Sequence, residues 1–98
     1  MLNSRQRAQL RGMANRMETI FQVGKSGVTQ TLIDQTDDAL TARELIKLRV
    51  LETAPEGVRE SAEQLAKATR AEVVQVIGSR MVLYRASRTC KEPIVLCR

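Results

Sequence analysis

Histidine is missing from this sequence, and so is tryptophan. Without histidine the chain lacks the commonest general acid or base near neutral pH, and no Ser–His or Cys–His nucleophilic pair can form within it. The cysteines are Cys90 and Cys97 only. A zinc site would need further ligands that the sequence does not offer, so the thiols read as incidental and neither metal nor cofactor is expected. Asp37 and Asp38 are adjacent carboxylates expected on a solvated helix face. No residue is assigned a catalytic role, and the chain reads as a non-enzyme. Aromatics are as scarce: Phe21 and Tyr84 are single representatives of their types. They are too few for a base-stacking platform and are expected in the core. No apolar run approaches the roughly 18 residues that span a bilayer. The opening "MLNSRQRAQLRGM" has arginines but no apolar stretch of a signal peptide. A cytoplasmic protein with no membrane partner and no small-molecule substrate is the expectation.

What is present is a globular composition, 43% apolar and 28% charged over 98 residues. No linker or repeat interrupts it, so residues 1–98 read as one domain. The net charge is +5, unevenly spread. Residues 1–27 carry +4, residues 78–98 carry +4, and the middle, residues 28–77, carries −3. If the two ends meet in space, one side of the molecule attracts a polyanion.

Periodicity predicts seven elements. Leu10, Met13, Ala14 and Met17 share a face of a helix from about Ser4 to Met17, capped by Asn3 or Ser4. Gly12 inside that helix suggests close packing or a bend. A short strand, Thr19 to Val23, precedes a helix from the N-cap Thr29 to about Ala42, with Val28 and Ile33 placed to form a hydrophobic staple. "ELIKLRVLE" alternates as a strand, with Ile46, Leu48 and Val50 on one face and Lys47 and Arg49 on the other. A helix from Val58 to Thr69 follows, then "EVVQVI", whose near-continuous apolar character suggests a central strand. Gly78-Ser79 suits a type II′ hairpin into "RMVLYR", and the tail "EPIVLC" suggests an extended edge segment. The order αβαβαββ implies an α/β (α+β) fold: one mixed four-stranded sheet packed with three helices.

"QVGKSGVT", Gln22 to Thr29, admits two readings. Its Gly-Lys-Ser resembles the end of a nucleotide-binding P-loop, but the required first glycine falls at Thr19, and Ile20 to Val23 are strand formers. The alternative is a Gly-x-x-Gly clamp for a nucleic-acid backbone. Its glycines permit positive φ, and it opens onto a helix N-terminus whose amides favour phosphate. Lys25 adds charge and Ser26 a hydroxyl. Further candidates for RNA contact are Arg7 and Arg11 on the first helix and Arg80 and Arg85 at the two ends of the last strand. Lys47 and Arg49 are weaker ones, because carboxylates could claim them.

"QVGKSGVT", "ALTARELIKLRVL" and "VVQVIGSRMVLYR" together resemble the CRM domain, the chloroplast RNA splicing and ribosome maturation family, in its small stand-alone bacterial form of the YhbY or YqeI type. The resemblance runs over roughly residues 3–97. It implies a non-catalytic RNA-binding protein folded like the C-terminal domain of translation initiation factor three. It also implies a link, in bacteria, to maturation of the large ribosomal subunit, with ribosomal RNA or its precursor as partner. The family's Gly-x-x-Gly loop maps onto Gly24, Lys25, Ser26 and Gly27. A protein-interaction module, docking a basic ribosomal protein on the acidic helix, is the alternative.

Overall fold

In the computed structural model, which describes residues 2–91 and 93–97, the elements follow the expected order. They are α1 (Ser4–Ala14), β1 (Phe21–Val23), α2 (Gln30–Arg43), β2 (Leu45–Val50), α3 (Val58–Thr69), β3 (Glu72–Ile77) and β4 (Arg80–Tyr84). The sheet order is β1-β2-β4-β3. β1 runs parallel to β2, whereas β4 is antiparallel to both β2 and β3.

Asn3 takes the cap of α1 in a reciprocal capping box: its side chain accepts from the Gln6 amide at 2.8 Å, and the Gln6 side chain accepts from the Asn3 amide at 3.0 Å. The helix ends at Ala14 rather than Met17. Its last turn tightens, with the Arg16 and Met17 amides donating to the carbonyls of Met13 and Ala14. The Lys47 ammonium then occupies the carbonyls of Ala14 and Met17, at 3.2 and 3.4 Å. Leu10 and Ala14 are buried, but Met13 is 40% exposed and leaves the expected stripe. Gly12 is not tightly packed: a Cβ there would meet nothing within 4 Å.

Two apolar clusters sandwich the sheet. Ile46, Leu48, Val50, Met81 and Leu83 meet α2 and α3 through Leu32, Leu40, Ala62 and Leu65. On the other face Leu45, Val82, Tyr84 and Val74 meet Leu10 and Ala14 of α1, with Ile94 and Leu96 of the tail packed alongside. This double cover corrects the placement of β3. It is an edge strand, not a central one, and its apolar run arises because Val73 and Val76 face one cluster while Val74 faces the other. A bulge between Val73 and Gln75 shifts the alternation.

The tail is a second correction. Glu92 of "EPIVLC" lies outside the described residues, and residues 93–97 form no strand. They bond to side chains instead: Gln9 donates to the Val95 carbonyl and accepts from the Cys97 amide, and Gln6 donates to the Cys97 carbonyl. Glu44 holds the tail's other end. It caps α2 at φ 65°, is buried, and its carboxylate accepts from the Ser87 and Ile94 amides, both at 2.6 Å. A positive φ at a non-glycine residue costs energy, and these two charge-assisted bonds offset it.

Candidate nucleic-acid interface

Gly24 to Gly27 form one turn, closed by the Gly27 amide donating to the Gly24 carbonyl at 2.9 Å. Lys25 and Ser26 occupy its exposed corner. The two glycines do different work. Gly27 has φ 71°, and a Cβ on it would lie 3.0 Å from Pro55 Cγ, so conformation and space both require glycine. Gly24 is not among the residues of positive φ, and a Cβ there would meet only Leu51 at an ordinary 3.8 Å. Of the two glycines that permit positive φ, only Gly27 adopts it.

The turn leads into α2 as expected. The Thr29 hydroxyl accepts from the Leu32 amide at 3.1 Å, and no acidic residue stands in the helix's first turn. An anion at the turn thus meets a helix N-terminus with no carboxylate in its first turn. Val28 and Ile33 are both half-buried against the same apolar cluster, where a staple would place them. Val23 of β1 fills the core, leaving no cradle of the P-loop kind ahead of Gly24.

The sheet supplies the second part of the site. Register places Gln22 beside Arg49, Arg49 opposite Arg80, and Arg80 opposite Ile77, one row across all four strands. All four side chains are exposed, on the face that α1 covers only further along. Arg49 and Arg80 are like charges directly opposite each other, an arrangement that costs stability. Neither has a hydrogen bond or ion pair among the described residues. Arg80 also lines a groove with Met17, Glu18, Thr19 and Lys47, so the N-terminal and C-terminal segments meet here, with the acidic Glu18 and none of the N-terminal cations at the junction. Gln22 escapes sequence reasoning, because only the strand order reveals that it extends the row toward the Gly-x-x-Gly turn.

Other candidates are occupied elsewhere. Arg85 donates to the Asp37 carboxylate, to the carbonyls of Thr69 and Asp37 at 2.7 and 3.0 Å, and to the Thr41 hydroxyl at 2.8 Å. It ties β4 to α2 and α3 at the end remote from Arg80. Arg7 is half-buried and donates to the Val73 carbonyl at 2.6 Å, satisfying the bulge. Arg11 is exposed, so the two do not form the expected ridge. Lys47 shares the face of Arg49 but is engaged at the end of α1.

Tyr84 is buried and has its pKa raised above the ordinary 10.0, chiefly by burial, with Glu44 and Glu72 adding to it. It belongs to the core, as expected; Phe21 is only half-buried. Cys90 and Cys97 are unbonded to each other, and no cluster of three or more potential metal ligands occurs among the described residues. No helix is long and apolar enough to cross a membrane among those residues.

The CRS1 / YhbY (CRM) domain family matches residues 2–85. The sequence is 45% identical over 92 residues to the Probable RNA-binding protein YqeI of Bacillus subtilis strain 168, spanning 94% of this chain and 96% of that protein. Identity is 31% over 90 residues to an RNA-binding protein of Haemophilus influenzae, spanning 92% and 91% of the two chains. The solution structure of SAV1595 from Staphylococcus aureus, described as a candidate RNA-binding protein, matches with a TM-score of 0.77 at 48% identity. It covers 90% of this chain and 92% of that one.

Proposed function

The chain belongs to the CRS1 / YhbY (CRM) domain family, and from that premise we propose that it is a non-catalytic, cytoplasmic RNA-binding protein. The turn at Gly24–Gly27 holds phosphate with its backbone amides, Lys25 and Ser26, while Arg49 and Arg80 neutralise the neighbouring backbone on the sheet face. Ribosomal RNA or its precursor, met during assembly of the large subunit, is the proposed partner. The observation that carries this reading is the opposed pair Arg49 and Arg80, one and two strands across from β1 and without an ion pair among the described residues. A like-charge pair retained at a cost in stability makes sense when a polyanion is the counter-ion.

Binding of this kind is dominated by counterion release. With about six phosphates neutralised, affinity falls on the order of a thousandfold between 50 and 200 mM salt. Lys25→Glu is expected to weaken binding of ribosomal RNA fragments with the fold intact, because Lys25 is exposed and unpaired among the described residues. Salt-independent affinity, or unchanged affinity in a folded Lys25→Glu variant, would refute the mechanism. The protein-docking alternative is weakened by the acidic helix itself, since Arg85 takes Asp37 and Gln30 takes Asp34. Association with ribosomal particles that survives nuclease treatment would favour docking instead.

A further inference from the structure

The edge strand β1 separates two surfaces. Gln22 points to the Arg49–Arg80 face, while Phe21 is packed on the opposite side against α2. There, Ile20, Phe21, Gln35, Asp38, Ala39 and Arg43 line a groove of about 600 Å³, within the size range of small-ligand sites. Residues 35, 38, 39 and 43 follow one line along α2, so the groove is a regular face of that helix beside an unpaired strand edge.

Several polar side chains of α2 outside the groove are already committed. Asp34 is bonded to Gln30, Asp37 to Arg85, and the Thr41 hydroxyl to the Asp37 carbonyl. Gln35, Asp38 and Arg43, the three that line the groove, have no partner among the described residues. The groove therefore combines one aromatic, an apolar floor and three uncommitted hydrogen-bonding groups. A phosphate does not suit it, because Asp38 repels anions. A flat heterocycle with N–H donors on one edge and acceptors on another does.

Resting on the reading of the chain as an RNA binder, we propose that this groove takes an unpaired guanine base. The strand's backbone stays at the Gly24–Gly27 turn, and the base reaches over the short edge of β1. Guanine offers two adjacent N–H donors, N1 and N2, to the Asp38 carboxylate and two acceptors, O6 and N7, to Arg43. Phe21 supplies the ring contact and Gln35 an adaptable amide. The target is then a loop, bulge or single strand rather than continuous duplex, whose bases are already stacked and paired.

The test uses the full chain and labelled oligouridine strands carrying one central guanine, adenine, cytosine or uracil. The guanine strand is expected to bind about tenfold tighter than the others. Asp38→Asn should reduce that preference to about twofold or less, and Phe21→Leu should weaken binding of the guanine strand by about tenfold. Asp34→Asn makes the same charge change on the same helix outside the groove, and should leave the preference in place. Thermal unfolding of each variant separates lost recognition from lost fold. Salt-dependent, Lys25-sensitive binding that is equal for all four bases, or a preference that survives Asp38→Asn, overturns the guanine pocket and leaves the phosphate-clamp reading standing. A guanine preference abolished by Asp38→Asn, with overall affinity untouched by Lys25→Glu, supports the pocket and refutes the clamp. Binding to no strand overturns both.

Discussion

Reversing one charge of the Arg49–Arg80 pair should move stability and binding in opposite directions. The two residues are register partners on adjacent strands, and both are exposed. For charges on directly opposed residues held about 7 Å apart, a little beyond the roughly 5 Å Cβ spacing of such a pair, the repulsion in water is about 0.6 kcal/mol. Screening at physiological ionic strength, with a Debye length of about 8 Å, lowers this to about 0.25 kcal/mol. Arg49→Glu turns that repulsion into an attraction of similar size, so the domain gains about 0.5 kcal/mol, or about 2–4 °C in Tm. RNA binding should weaken, and the dependence of log affinity on log salt should flatten by about 0.7 for each single-strand phosphate that the variant no longer neutralises. Denaturant melts and fluorescence anisotropy over a salt series read the two effects on one preparation. A destabilisation of more than about 1 kcal/mol would mean that Arg49 serves the fold, as surface changes away from structural contacts rarely cost that much. Weakened binding with an unchanged salt slope would mean that Arg49 does not count a phosphate.

The remaining predictions test the backbone and the core. Gly27→Ala forces a side chain into φ 71° and against Pro55, and should cost about 1–2 kcal/mol, whereas Gly24→Ala should stay within about 0.5 kcal/mol; equal effects in chemical denaturation would refute the asymmetry of the turn. Gly12→Ala, in an exposed helix interior with open space around it, should stabilise the domain by about 1 kcal/mol without altering RNA affinity. The raised pKa of Tyr84 means that the unfolded chain loses the phenolic proton first. Its contribution is therefore constant at pH values below the ordinary 10.0 and falls as pH rises from there through the folded value. Denaturant melts across that range should show a steeper alkaline loss for the parent protein than for Tyr84→Phe, and coincident profiles would refute it.

Much of the fold was legible because the relevant physics is local. α3 and β3 have the expected bounds, Thr29 caps α2, and Gly78 carries the positive φ of a type II′ first position while Ser79 does not. Strand order was not legible. An apolar run says that both faces of a strand are covered, not whether both edges are, so β3 read as central when α1 and α3 enclose an edge strand. The site divided along the same line. The turn at Gly24–Gly27 was visible as a motif, but the Arg49–Arg80 pair depends on β4 lying beside β2, a long-range pairing that no spacing in the sequence encodes.

The fates of the cations follow a physical rule that the candidate residues illustrate between them. Arg7 donates to Val73 at a bulge, Lys47 to Ala14 and Met17 where α1 runs out, and Arg85 to Thr69 where α3 runs out. Each of these carbonyls lies at a bulge or a helix end, where regular backbone pairing breaks off (Ala14 keeps a bond from the Met17 amide), and a half-buried carbonyl there gains from a further donor. A long cationic side chain within reach satisfies it and neutralises the negative end of the helix as well. Arg49, Arg80 and Lys25 stand instead on strand or at an already closed turn, and donate to no carbonyl among the described residues. Their charges stay on the surface and uncommitted. The exposed sheet row and the Gly-x-x-Gly turn thus offer the charge proposed above for a phosphate backbone, while Arg7, Lys47 and Arg85 tie down the fold that presents it.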